Sequence, residues 1–182
     1  MTAPFTKVAL CGMDLACIQS SELLDYMFGE LRASRGGWLV TANLDFLRRH
    51  VKDPEARSIY AAADLRVADG MPLVWASVLR GTPLPERVAG SSLVLPLCQR
   101  AAHEGRSVYL LGGEPQASEV AAARILAECP GLKIAGRSSP MVDAPPTPEQ
   151  VASLRAELLA AKPDLVLVAF GSPKQEHVIA AL

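Results

Sequence analysis

Short apolar runs that end in glycine or polar residues alternate along this chain with segments whose apolar positions recur at helical spacing. Val8 to Cys11 is the first such run and stops at Gly12. Ser20 or Ser21 can cap a helix that begins near Glu22 and runs to about Ser34, where Gly36-Gly37 stops it. Trp38 to Thr41 reads as a strand closed by Asn43. Leu44, Leu47 and Val51 open the next helix, which Asp53-Pro54 breaks or restarts, because proline lacks an amide hydrogen and disfavours helix just before it. A short strand over 65–67 precedes Asp69-Gly70, and a helix follows over about 72–79. Ser91 caps a helix to about His103, closed by Gly105.

Val108 to Leu111 is the clearest buried strand and ends at Gly112-Gly113. An alanine-rich helix over about 116–128 and a strand over 132–135 come next. The proline-rich segment 137–148 is a loop, with Thr147 capping and Pro148 opening a helix to about Ala161. The wholly apolar run 165–170 predicts a strand buried on both faces, and Gly171-Ser172-Pro173 leads into a last helix.

Strands separated by helices imply crossovers and parallel pairing. The expected fold is a single α/β domain spanning 1–182, with one Rossmann-like, mainly parallel sheet and helices on both faces. In such sheets ligands bind beyond the carboxyl ends of the strands. The polar and glycine-rich residues fall there: Thr41 to Asp45, Asp69-Gly70, Gly112-Gly113 and Gly171 to Gln175. Thr41, Asn43, Asp69, Arg87 and Gly112 are expected to line one cleft.

Composition narrows the function. At 182 residues the chain is long enough for one substantial core. A net charge of −1 and few aromatics argue against nucleic acid, which selects basic faces and stacking rings. Cys11, Cys17, Cys98 and Cys129 form no Cys-x-x-Cys pair, so buried reduced thiols are the reading rather than zinc. The N-terminus lacks the build of a signal peptide, and no apolar run reaches the ~18 residues that cross a bilayer. Any work at a membrane is expected from its cytoplasmic side.

Each candidate residue has a functional and a local structural reading. Asp69 can act as a general base on a sugar hydroxyl or cap the following helix. Thr41, Asn43 and Asp45 can hydrogen-bond a sugar or phosphate, or cap. Gly112-Gly113 can admit a nucleotide to a helix N-terminus, or serve only as a tight turn. Arg87 can hold a diphosphate in bidentate fashion, or be a plain surface cation. Gly171 to Glu176, with Lys174 and Gln175, can reach a ligand or simply turn strand into helix. There is no Gly-x-Gly-x-x-Gly, which weighs against a nicotinamide oxidoreductase, and no Asp-x-Asp pair to demand a metal.

Five segments together resemble the WecG/TagA/CpsF family of glycosyltransferases: Thr41 to Asp45, Ala63 to Trp75, Pro85 to Ser91, Tyr109 to Gly113 and Phe170 to Glu176. The resemblance runs from about residue 38 to the end, with the segments in the family's order and spacing. It implies an inverting, metal-independent transfer from a UDP-sugar to a polyprenyl-diphosphate-linked saccharide, of the hexosyl or N-acetylmannosaminyl kind, in bacterial cell-surface or exopolysaccharide biosynthesis. No cofactor is implied, the UDP-sugar being a substrate. Carried over, Asp69 is the base, Thr41 and Asn43 position substrate, and Arg87 and Gln175 are further active-site residues. Gly112, Gly113 and Gly171 lie against the donor. Family members continue past the Pro-Lys-Gln-Glu motif into a segment that contributes arginines and contacts the cytoplasmic membrane face, whereas this sequence ends at Leu182. That departure implies reduced turnover, and it keeps open a second reading, a nucleotide-binding interaction module with little or no catalysis.

Overall fold

The computed structural model describes residues 5–182. The chain divides into two compact units, Met1–Leu93 and Val94–Leu182. It is an α/β protein whose parallel sheets are of the Rossmann-like kind.

The first unit opens with a hairpin, β1 (Lys7–Leu10) and β2 (Met13–Ala16), paired antiparallel from Lys7↔Ala16 to Leu10↔Met13. Its two-residue turn is Cys11 and Gly12, at φ 50 and 83, the left-handed backbone that matches strand twist. Cys11 is exposed there, against the expectation of a buried thiol, as only Cys98 and Cys129 are buried. The second strand was not expected from the sequence, although Met13 and Leu15 are buried about an exposed Asp14, the alternation of a half-buried strand.

Helix α1 (Ser20–Arg32) starts earlier than the serines suggested. Gln19 caps it, and its N–H donates to Glu22 at 2.9 Å, so Ser20 and Ser21 lie inside the first turn. Strand β3 (Leu39–Ala42) runs into α2 (Leu44–Lys52), and α3 (Pro54–Ala61) restarts with Asp53 as cap and Pro54 at the first position. Strand β4 (Leu65–Ala68) pairs parallel to β3, Thr41 opposite Val67 and Ala42 opposite Ala68. Helix α4 (Met71–Leu79) follows, and α5 (Gly90–His103) begins in this unit.

Arg66 fastens the layer. Its Nη1 donates to the carbonyls of Tyr60 and Ala63 at 2.9 Å and of Ala61 at 3.2 Å, and its Nε to the Asp14 carbonyl at 3.0 Å. The core gathers Leu15, Val40, Phe46, Tyr60 and Leu73, with the Phe46 and Tyr60 rings 4.9 Å apart. Each such side chain contributes about 1.5–3 kcal/mol by leaving water.

The second unit holds β5 (Ser107–Gly112), α6 (Pro115–Glu128), β6 (Lys133–Ser138), α7 (Pro148–Ala161), β7 (Leu165–Ala169) and α8 (Lys174–Ala181). The sheet is parallel in the order β6-β5-β7. Asp164 staples the starts of β5 and β7, accepting from the Ser107 N–H and hydroxyl and from Arg106, each at 2.8 Å. Burial alone would raise the Asp164 pKa, but the Ser107 and Arg106 donors outweigh it and hold it below the usual carboxylate range.

Two expectations need correction. The parallel strands form two sheets rather than one, because β4 finds its neighbours inside its own unit, β3 through the ladder and β2 through Arg66. Strand β7 is not buried on both faces: none of its residues is buried, since its ladder partner is β5 alone and it lies at the sheet's margin.

Candidate active site

In the first unit the carboxyl ends of β3 and β4 carry the candidates. The ladder extends one residue past β4, where the Asp69 N–H donates to the Ala42 carbonyl at 2.7 Å. Asp69 is therefore fixed at the sheet edge by its backbone, leaving a half-buried side chain. That side chain does not cap α4. Gly70 holds the cap position and α4 receives no side-chain cap bond. Instead Asp69 Oδ2 lies 3.4 Å from the Gly90 N–H, long for a hydrogen bond and still close enough to define a neighbour. No ion pair with a described residue neutralises it.

Thr41 meets the same glycine. A Cβ on Gly90 would stand 3.0 Å from Thr41 Oγ1. Thr41 and Asp69 thus converge on the backbone of Gly90, a residue not singled out from the sequence. In the sequence it stands within the Pro85 to Ser91 segment, directly before a helix start. Helix α5 opens at Gly90, with the Ala89 carbonyl accepting from the Leu93 N–H at 3.2 Å, so Ser91 sits inside the first turn rather than capping it.

Asn43 serves α2. Its Oδ1 accepts from the N–H groups of Asp45 and Phe46 at 3.0 and 3.2 Å, the capping reading, while its amide nitrogen bonds no described residue. Asp45 is held by Arg48 Nη2 at 2.9 Å and by Arg49. The hydrogen bond from Arg48 leads in keeping its carboxyl below the usual range.

Arg87 is exposed and makes no hydrogen bond or ion pair with a described residue. The segment carrying it is well fixed. Leu84 N–H donates to Ser77 Oγ at 2.9 Å, Glu86 accepts from the Ser20 N–H at 2.5 Å and from the Ser20 hydroxyl, and Val88 N–H donates to the Ala68 carbonyl at 2.8 Å.

In the second unit the ends of β5 and β7 lie side by side, with Gly112 opposite Ala169. Gly112 has φ 96, and a Cβ there would come within 3.0 Å of the Ala169 carbonyl carbon and the Phe170 ring, so both backbone and space demand glycine. Gly113 and Gly171 also have positive φ but open surroundings. These turns lead into α6 and α8, neither of which receives a side-chain cap bond. Gln175 is half-buried in the first turn of α8, its N–H bound to the Gly171 carbonyl at 2.9 Å. Next to it Glu176 is 3% exposed, with Oε2 lacking any hydrogen-bond partner. A buried unsatisfied carboxylate oxygen is unusual in a native core. Glu176 ends the Phe170 to Glu176 segment, and nothing in the sequence marks its side chain as buried.

A groove of about 590 Å³ lies over α7 between Pro146 and Leu159 and contains none of these residues. Among the described residues no group of three or more His, Cys, Asp or Glu is placed to hold a metal ion, and no helix is long and apolar enough to cross a membrane.

Polar side chains and open glycine turns lie at the carboxyl ends of the parallel strands in each unit, the edge at which α/β sheets ordinarily bind ligands. The model of the Glycosyl transferase WecG/TagA/CpsF family matches residues 8–182. The chain belongs to this family, and it is accordingly a glycosyltransferase of cell-surface polysaccharide biosynthesis.

Proposed function

We propose that the protein is an inverting, metal-independent glycosyltransferase that moves a hexosyl or N-acetylmannosaminyl group from a UDP-sugar to a saccharide on polyprenyl diphosphate. It works at the cytoplasmic face of the plasma membrane, where such an acceptor is anchored. The observation that carries this reading is the Asp69 carboxylate, half-buried at a strand end, free of helix-capping duty and gathered with Thr41 about Gly90.

Asp69 takes the proton from the acceptor hydroxyl. The freed oxygen pair attacks the anomeric carbon, the bond to the β-phosphate oxygen breaks, and its electron pair leaves with UDP. A single displacement of this kind inverts the anomeric centre. Thr41 and the spare Asn43 amide orient the acceptor. Negative charge gathering on UDP needs donors already in position. Within the first unit Arg87 supplies such a donor, in the place a divalent ion would otherwise take. General-base catalysis contributes about a hundred- to ten-thousandfold.

Turnover of UDP-sugars with a lipid-linked acceptor, measured in EDTA for wild type and Asp69→Asn, tests the proposal. The wild type should remain active, and the variant should fall by roughly that factor while keeping its thermal shift with UDP. Full activity in the variant would remove Asp69 as base. Loss of the UDP shift would move Asp69 to the nucleotide. A wild type that binds UDP but never transfers sugar would be an interaction module.

A further inference from the structure

Helix α4 has nine residues and no charged side chain. One face is inside the unit, through Leu73 and Ser77. The other leaves Met71, Trp75, Val78 and Leu79 at 41, 60, 56 and 89% exposure. Their spacing puts them on one stripe of the helix, where a surface helix ordinarily carries polar residues. From Gly70 to Pro85 the one charged residue is Arg80, exposed and directly after Leu79.

Those four side chains offer roughly 500 Å² of apolar surface, in the range of a typical protein's largest patch, which is often functional. A second copy of the chain docked on it would bury about 1,000 Å² in all, short of the 1,200–2,000 Å² of a stable interface. A lipid surface sets no such threshold, because an apolar helix face enters the headgroup boundary without shape-matching. The residue types fit that boundary. Tryptophan concentrates there, an arginine at the helix end meets lipid phosphate, and no carboxylate in the stretch repels an anionic leaflet.

We infer that the Met71–Trp75–Val78–Leu79 face of α4 docks on a phospholipid bilayer, with Arg80 at the phosphates. Asp69 lies two residues before α4, close along the chain to this face. The inference assumes nothing about the sugar chemistry and would stand if Asp69 were not the base.

Vesicles of phosphatidylcholine with a minority of phosphatidylglycerol provide the test. The protein should sediment with them, and its tryptophan emission should shift to the blue. Trp75→Phe should still sediment but lose the shift, since Trp38 is tied to the Ala62 carbonyl within the unit. Leu79→Glu and Val78→Glu, at exposed positions, should weaken sedimentation by about tenfold or more, whereas Val120→Glu, equally exposed on α6, should not. A wild type that ignores the vesicles, or a Leu79→Glu variant that binds them fully, would overturn the inference. So would a vesicle-free dimer that Leu79→Glu dissociates, which would assign the face to a second copy.

Discussion

Replacing Gly90 by alanine would set a methyl carbon 3.0 Å from Thr41 Oγ1 and 3.5 Å from its Cγ2. Comfortable contact begins at about 3.5 Å, so Thr41 or the start of α5 must give way by roughly half an ångström. Overpacking of this kind costs about 1–3 kcal/mol. Better helix propensity at the first position of α5 returns up to about 1 kcal/mol, so the net loss of stability should stay near 1–2 kcal/mol. The same shift lengthens the Asp69–Gly90 separation, already 3.4 Å. A misplacement of 1 Å costs about a hundredfold in rate, and half of that costs about tenfold. Turnover at saturating UDP-sugar and the urea midpoint, measured together, separate the two effects. Gly90→Ala should lose about ten- to a hundredfold in turnover with UDP affinity unchanged. Thr41→Ala combined with Gly90→Ala should recover stability, a coupling of about 0.5 kcal/mol or more, while turnover stays low because the hydroxyl is gone. Full turnover in Gly90→Ala, or strictly additive stability losses in the pair, would refute the shared site.

Arg87→Ala should leave the urea midpoint within about 0.5 kcal/mol, since no described residue depends on the side chain, yet weaken UDP binding by about tenfold or more in calorimetric titration. An unchanged Kd would take Arg87 out of the donor site. His50 is buried with its Nδ1 unpartnered, and burial, reinforced by the charges of Arg57 and Arg66, holds its pKa below the ordinary 6.5 against a backbone hydrogen bond at Gly12. The neutral form is favoured in the fold, so its contribution is complete above about pH 6.5 and lost as pH falls through the lower folded value. Urea midpoints of the wild type should therefore drop between pH 7 and about 5, and His50→Gln should flatten that dependence. An identical slope in the variant would acquit His50.

The sequence was most legible where one turn of chain decides the outcome. Thr147 with Pro148 fixes the start of α7 because cap, proline and Gln150 act within four residues. Asp53-Pro54 likewise predicts the restart of α3. Strand β7 misled because an apolar run reports what a strand can bury, not what its neighbours cover. The candidates divided in the same way. The capping role of Asn43 is local and could be weighed in advance, whereas the freedom of Asp69 from capping depends on Gly70 taking that position. The meeting of Thr41 and Asp69 at Gly90 needs three segments joined by long connections, and no window of sequence contains it.

The Arg87 segment is tied to Ser77, Ser20 and Ala68 before any substrate arrives. Its backbone is already ordered in the folded chain, so the diphosphate capture proposed for Arg87 would immobilise only the arginine side chain, at about 2 kcal/mol. Recognition of that kind would be a collision with a waiting cation rather than a loop closure. Association should run at the pace set by diffusion and charge, and differences in affinity among nucleotide donors should appear as differences in how long each one stays.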